Sequence, residues 1–174
     1  MKKLLLLPML ALLFVGMVSC EKDQLAPVDG QEEMIASRAV TLPFRAWFTT
    51  HPVMTGADEN GTLTFEIPSE GISNILRQCT WYSDSQVFAT ILPPPWVQTG
   101  TSIFTAADGS QLIGAFGGTT GPQGNIPFVG TGTYEITSGT GRYEGATGSG
   151  TYSYATTLDV SSAQLEFVGT LTLK

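Results

Sequence analysis

The sequence predicts an all-β domain, a closed antiparallel barrel of about eight strands, preceded by a signal peptide and a disordered tether. Three observations lead to this prediction: several segments alternate apolar and polar residues with a period of two, turn residues separate these segments, and glycines stand inside them. We assign residues 1–19 to the signal peptide, residues 20–40 to a lipidated cysteine and tether, and residues 41–174 to the barrel.

The strand prediction rests on alternation that is clearest in three segments, Leu42–Thr50, Thr62–Ile67 and Gln164–Leu173. A period-two pattern puts one face of a strand on a core and the other face in water. Less regular segments, rich in β-branched and aromatic residues, predict the remaining strands. These are Ile75–Tyr82, Val87–Ile91, Ser102–Ala106, Gln111–Gly118, Phe128–Thr137 and Gly148–Asp159.

Turn residues and strand glycines favour a barrel over a sandwich. Glu59–Gly61 and the pair Asp108-Gly109 predict turns with positive φ, and Pro93–Pro95 predicts a stiff connection because prolines lack backbone donors. The apolar face of the last segment would promote aggregation if that strand remained an edge, so closure is favoured. In a strongly coiled barrel, glycines relieve crowding where strands bend. The glycines concerned are Gly114, Gly117, Gly130, Gly132, Gly148 and Gly150.

The N-terminus has the pattern of an export signal. Lys2 and Lys3 precede an apolar run, Leu4–Val18, that is shorter than the roughly 20 residues a transmembrane helix needs. The segment Met17–Cys20 resembles the lipobox of bacterial lipoproteins, which implies acylation of the Cys20 thiol, as with palmitate, and cleavage before it. We therefore expect a membrane partner held through acyl chains on Cys20, in the bacterial cell envelope, extracytoplasmic and on the outer membrane.

Charge excludes nucleic acid as a partner. Removal of residues 1–19 takes away two of the eight basic residues and none of the fifteen acidic ones, which leaves a net charge near −9. A protein with few, scattered cations lacks the basic surface that binds phosphates. The mature length suits one domain with one core.

Few residues have the chemistry of a redox or metal site. With Cys20 acylated, Cys79 has no partner for a disulfide, and we interpret it as a small buried hydrophobe rather than a reactive thiol. His51 is the single histidine and has no partner at a ligand spacing, so we predict no metal and no cofactor. The pair His51-Pro52 predicts the start of a loop.

Two stretches carry a family resemblance. The segment Gly130–Gly150, with its run Ser-Gly-Thr-Gly-Arg-Tyr-Glu-Gly-Ala-Thr-Gly, resembles a hairpin of bacterial proteins in the allene oxide cyclase barrel-like superfamily. Phe104–Phe116 is similar to a second stretch of the same proteins. The resemblance covers about residues 41–174 and implies an eight-stranded barrel. Plant members, the allene oxide cyclases and dirigent proteins, form trimers, so a homo-oligomer is open for this chain.

The resemblance supplies no catalytic residues, since no motif here matches those of the plant cyclases. The turn Thr140–Gly145 lacks the Gly-Lys-Ser/Thr ending and the helix of a phosphate loop, so we interpret Arg142 and Tyr143 as bracing residues. No Gly-x-Ser-x-Gly elbow accompanies the histidine. The strand carboxylates fall opposite apolar residues and are interpreted as solvated. They are Glu66, Glu135 and Glu166.

Three functions follow from these observations. The first is a non-enzymatic, lipid-anchored barrel that binds a small apolar molecule or serves as a surface interaction module. The alternative is a cyclase- or isomerase-like enzyme acting on a hydrophobic substrate inside the barrel. The third is a purely structural envelope protein. An inward carboxylate, a tyrosine or Cys79 lining an open cavity would favour the enzyme, whereas a cavity filled by phenylalanine and leucine would exclude it.

Overall fold

The computed structural model describes residues 38–89 and 93–174. In these two ranges the chain forms nine strands and one short 3-10 helix at Gly141–Tyr143. The strands are β1 (Val40–Thr50), β2 (Val53–Ala57), β3 (Thr62–Ser73), β4 (Arg77–Phe88), β5 (Trp96–Ala106), β6 (Gln111–Gln123), β7 (Ile126–Gly139), β8 (Thr147–Thr156) and β9 (Ala163–Leu173).

Eight of these strands form a closed antiparallel barrel. From β3 to β9 each strand pairs with the next, and β1 pairs with β9 along its whole length, from Val40↔Leu173 to Thr50↔Ala163. The second edge of β1 pairs with β3, from Ala46↔Ser73 to Thr50↔Ser69, and this pairing closes the barrel. The predicted all-β class and closed barrel of about eight strands are therefore confirmed.

Among the nine strands of the described residues, only β2 lies outside the barrel, and it was not predicted. The chain leaves β1 at His51-Pro52, as the sequence indicates, and β2 then pairs with the first half of β3. Proline cannot donate to a strand ladder, so a break at this point is expected. The predicted turns are confirmed by left-handed backbone at Gly61 (φ 81°) and Gly109 (φ 83°).

Several predicted strands are too short or are wrongly divided. The segments Ile75–Tyr82 and Val87–Ile91 were predicted as two strands, but β4 runs unbroken from Arg77 to Phe88. The prediction divided β4 because Ser83 and Ser85 face the interior and interrupt the apolar alternation. Ile91 lies outside the described residues.

One half of the barrel is filled by packed rings. Phe44, Phe48, Phe104 and Phe167 are fully buried, and the Phe104 and Phe167 rings meet edge to face with centroids 5.0 Å apart. Edge-to-face contacts align the ring edge with the electron-rich face of its neighbour and so stabilise the core. Leu76, Leu112, Ile136 and Leu171 complete this half.

The turn between β7 and β8 closes the filled end of the barrel. Tyr143 is buried beneath it, and the Arg142 guanidinium lies 4.9 Å from the Tyr143 ring centroid. Arg142 Nε also lies 3.3 Å from Asp108 Oδ2 in the neighbouring hairpin. The prediction that Arg142 and Tyr143 brace this turn is confirmed.

The predicted signal peptide, Cys20 and nearly all of the tether lie outside the described residues. Strand β1 begins at Val40, within one residue of the predicted start of the barrel domain. In the part of the chain that the structure describes, no helix has the length and apolar character needed to cross a membrane.

Candidate ligand pocket inside the barrel

The other half of the barrel is not filled, and a pocket opens there. Its mouth lies where β1 ends, at Thr50 and Pro52, and beside the loop that joins β8 to β9. The cavity volume is about 80 Å³. The walls are the inward faces of β3 to β9 and are mainly apolar, with Phe65, Val87, Phe116, Phe128, Leu165 and Phe167 among them.

Trp81 and Phe167 form the floor that separates the pocket from the filled half. Both side chains are buried, both line the pocket, and their ring centroids are 5.5 Å apart. Trp81 Nε1 donates a 2.8 Å hydrogen bond to Ser102 Oγ, so its polar edge is satisfied within the barrel. The floor is therefore fixed by both packing and a hydrogen bond.

A chain of four polar side chains crosses the inner wall. Gln98 Nε2 donates to Tyr152 Oη over 2.7 Å, and Tyr154 Oη donates to Gln98 Oε1 over 2.8 Å. Thr120 Oγ1 lies 2.7 Å from Tyr154 Oη. Gln98, Tyr152 and Tyr154 all line the pocket, and the hydroxyl residues Thr50, Ser85 and Thr156 line it as well.

Two glycines make room for the tyrosines. A β-carbon on Gly118 would lie 2.6 Å from Tyr152 Oη, and one on Gly130 would overlap the Tyr154 ring. The expectation that strand glycines relieve crowding is thus confirmed at Gly130. At Gly117 it is wrong, because a β-carbon there would meet nothing closer than 3.9 Å.

Among the described residues that line the pocket, the tyrosines are the only ones with an ionisable side chain. None of its lining residues is Asp, Glu, Lys, Arg or His. Burial raises the pKa of Tyr152 to about 12, against the opposing effect of its hydrogen bond with Gln98. Burial also raises the pKa of Tyr154. Both hydroxyls are therefore protonated at neutral pH and can act as hydrogen-bond donors but not as bases.

The mouth has an unusual backbone feature. Val160 lines the pocket and has left-handed backbone (φ 60°), which is rare for a β-branched residue. The loop that holds it is tied together by Asp159, whose Oδ1 accepts hydrogen bonds from Thr157 Oγ1 (2.6 Å) and from Ser161 N (3.2 Å) and Oγ (2.9 Å). The Thr157 hydroxyl and the Ser161 donors lower the pKa of Asp159 to about 2.

The residues considered from sequence lie away from this pocket. Glu66 and Glu135 are exposed and Glu166 is half-buried, all on the outer faces of their strands, as predicted. Cys79 is 5% exposed in the filled core, where burial raises its thiol pKa to about 11. His51 is exposed between β1 and β2. Among the described residues, no three His, Cys, Asp or Glu side chains come together as metal ligands.

The sequence analysis did not find the polar groups of the pocket. Tyr152 and Tyr154 did not stand out from the other aromatics of the chain, and Gln98 lay outside every predicted strand. The sequence does contain a pattern that could have indicated Gln98. The residues Gln98, Gly100 and Ser102 continue the inward alternation of Phe104 and Ala106 toward the start of β5. Inward residues that are polar or glycine hide this pattern from a search for apolar alternation.

A second hollow of about 280 Å³ lies on the outer wall, between Pro94-Pro95 and the end of β6. It is larger but more open, and polar groups make up more of its lining. We therefore take the barrel pocket as the candidate site. Comparison with family models, curated proteins and solved structures gives no match to this chain, so its function is argued from the pocket itself.

Proposed function

We propose that this chain is a lipid-anchored, extracytoplasmic barrel protein of the allene oxide cyclase-like type that binds one small apolar molecule in its pocket. The observation that carries this proposal is the contrast between the two halves of the barrel. Rings and leucines fill one half, while the other has an open, apolar cavity with a few convergent polar groups. Ligand sites in proteins commonly have this composition.

A purely structural barrel fits less well. A protein that needed the barrel only for stability would gain from filling it, since each buried methylene contributes about 0.8 kcal/mol. Gly118 and Gly130 instead leave space on the wall, and Tyr152 and Tyr154 lie in that space with their hydroxyls bonded to Gln98. This arrangement favours a site over a packed core.

One observation keeps the enzymatic alternative as a second candidate: tyrosines line an open cavity. The remaining features favour binding. In the described ranges no carboxylate lines the pocket, Cys79 is not among the lining residues, and the raised pKa of Tyr152 removes it as a base near neutral pH. A cyclase-like reaction in this pocket would have to rely on confinement and hydrogen bonding alone.

The anchor is supported by the sequence at Met17–Cys20 and is compatible with ligand access. Strand β1 runs from Val40, where the predicted tether ends, to Thr50 at the mouth of the pocket. Val40, the first residue of β1, therefore lies at the end of that strand opposite the mouth, and a ligand that enters at the mouth does not pass it.

The proposal is tested by blocking the pocket. We would purify residues 20–174 with Cys20→Ser, so that detergent is not needed, and titrate the apolar fluorophore N-phenyl-1-naphthylamine. Ala163 is buried on the pocket wall, so Ala163→Phe should fill the cavity and abolish the fluorescence increase. Gln164→Phe is the matched control, because this neighbour on β9 is exposed.

Binding that survives Ala163→Phe, in a variant with an unchanged circular dichroism spectrum, would contradict the pocket as the site. Native mass spectrometry of the protein purified gently from its own envelope gives an independent measure. Extra mass matching a lipid-like or terpenoid molecule would support the proposal and name a class of ligand. A bare polypeptide mass, together with no fluorophore binding, would overturn it.

A further inference from the structure

The polar chain on the pocket wall has spare hydrogen-bond donors. Gln98 is 2% exposed, and its Nε2 has two N–H groups, of which one is used by Tyr152 Oη. The other has no acceptor among the described residues. A buried donor without an acceptor is uncommon and calls for a partner.

The direction of the hydrogen bonds along this chain also indicates a spare donor on the pocket wall. Tyr154 donates to Gln98 Oε1, and Gln98 then donates to Tyr152. In this arrangement Tyr154 accepts from Thr120 Oγ1, whose other acceptor, Val129 O, lies farther away at 3.4 Å. The chain ends at the Tyr152 hydroxyl, whose own proton has no acceptor among the residues that the structure describes. If the amide is turned over, the chain reverses, but one N–H of Gln98 is still unused. The wall therefore offers donors to the cavity.

The charge of the pocket restricts what can accept these hydrogen bonds. With no cationic side chain lining the cavity, a buried carboxylate or phosphate would lose its hydration without a counter-charge. A neutral oxygen loses much less. An oxygen that only accepts, such as a carbonyl, also adds no new donor that would need a partner of its own.

From this geometry we propose that the pocket binds a neutral, largely apolar carbonyl compound, a ketone, aldehyde or ester, whose oxygen accepts hydrogen bonds from Gln98 Nε2 and Tyr152 Oη. This inference rests on the proposed function, uptake of an apolar molecule. The cavity of about 80 Å³ is smaller than an engineered cavity of about 150 Å³ that takes up benzene, so the rest of the molecule extends through the open mouth.

The test compares three ligands of one shape. We would measure displacement of N-phenyl-1-naphthylamine from the Cys20→Ser protein, residues 20–174, by 2-undecanone, by 2-methyl-1-undecene and by undecanoate. The alkene replaces the carbonyl oxygen by a methylene group, and the acid carries a charge. We expect the ketone to bind roughly tenfold more tightly than the alkene, and undecanoate to bind more weakly than the ketone.

Variants assign the preference to the proposed donors. Gln98→Met keeps the length of the side chain but removes its N–H groups, and it should bring the ratio of ketone to alkene affinity close to one. Tyr152→Phe should reduce the same ratio in part. Gln111→Met is the matched control, because Gln111 donates to Thr105 outside the pocket and its replacement should leave the ratio unchanged.

A direct readout in the unmutated pocket covers the case in which Gln98→Met does not fold. The ketone should shift the Gln98 side-chain amide signals in a nitrogen–proton correlation spectrum, and the alkene should not. Equal affinity for the ketone and the alkene would overturn the inference. Binding of undecanoate as tight as that of the ketone would also overturn it. Either result would leave the proposed function standing. Failure of the fluorophore and of all three ligands to bind would overturn both.

Discussion

The hydroxyl of Tyr134 lies against Gly169 on the wall of the barrel, 2.7 Å from the position that a β-carbon on that glycine would occupy. The Tyr134 side chain is 2% exposed, and its hydroxyl has no hydrogen-bond partner among the residues that the structure describes. Tyr152 enters the same interior from β8, but its hydroxyl accepts a hydrogen bond from Gln98 Nε2. A hydrogen bond therefore offsets the free-energy cost of burying the hydroxyl of Tyr152 but not that of Tyr134.

This difference predicts opposite effects of removing the two hydroxyls. Tyr134→Phe removes an unsatisfied buried group and should raise the free energy of unfolding by about 1 kcal/mol. Tyr152→Phe removes a hydrogen bond and should lower it by about 1 kcal/mol. Urea denaturation of the two variants measures both values. A loss of stability in Tyr134→Phe equal to that in Tyr152→Phe would show that the Tyr134 hydroxyl has a partner in solution.

The glycine packed against Tyr154 should not tolerate a side chain. Gly130→Ala puts a methyl group into the Tyr154 ring and should destabilise the barrel by about 1–3 kcal/mol. Gly117→Ala is the matched control, because a β-carbon there would lie 3.9 Å from its nearest neighbours, and the substitution should stabilise the fold by roughly 0.5 kcal/mol. Thermal unfolding gives the comparison, and equal behaviour of the two variants would contradict close packing at Gly130.

Alkaline pH should destabilise the barrel through its buried tyrosines. Burial raises the pKa of Tyr134 from 10.0 to about 12, so the folded state favours the protonated hydroxyl. The resulting stability is fully present below the unfolded pKa of 10.0 and is lost as the pH rises through about 12. Unfolding by urea between these pH values measures the loss, and Tyr134→Phe should make it smaller. If the free energy of unfolding of Tyr134→Phe falls with pH as steeply as that of the unmutated protein, Tyr134 ionises normally.

Cys79 should be unreactive in the folded protein. Its thiol lies in the filled core and burial raises its pKa to about 11, so the thiolate fraction near neutral pH is very small. A thiol reagent such as dithionitrobenzoate should react slowly with the Cys20→Ser protein and rapidly once guanidinium unfolds it. Rapid reaction before unfolding would instead place Cys79 at an accessible site.

The anchor proposal predicts that Cys20→Ala releases the protein from the membrane. Acyl chains on Cys20 would provide the attachment, and a protein without them should move from the membrane fraction to the soluble fraction. Fractionation followed by immunodetection measures this change, with Cys79→Ala as the matched cysteine control. Membrane retention of Cys20→Ala would contradict the anchor.

The sequence predicted best the elements whose inward residues are apolar. Strand β9 was predicted from Gln164 to Leu173 and runs from Ala163 to Leu173, because its inward positions are leucine, phenylalanine and glycine. Strand β5 was predicted only from Ser102, although it begins at Trp96. Its first inward positions, Gln98 and Gly100, are not apolar and do not resemble a core strand. Strand β5 was thus predicted short at the end that lines the pocket.

By itself, the sequence determined the all-β class, the barrel and its turns, since period-two alternation and left-handed glycines are local properties of the chain. Only the tertiary structure decided where the pocket is. Gln98 and Tyr152 are 54 residues apart, and the pairing of β5 with β6, β6 with β7 and β7 with β8 brings their side chains within hydrogen-bond distance. Closure of the barrel then removes water from this pair, so that two ordinary polar side chains become donors in an apolar cavity.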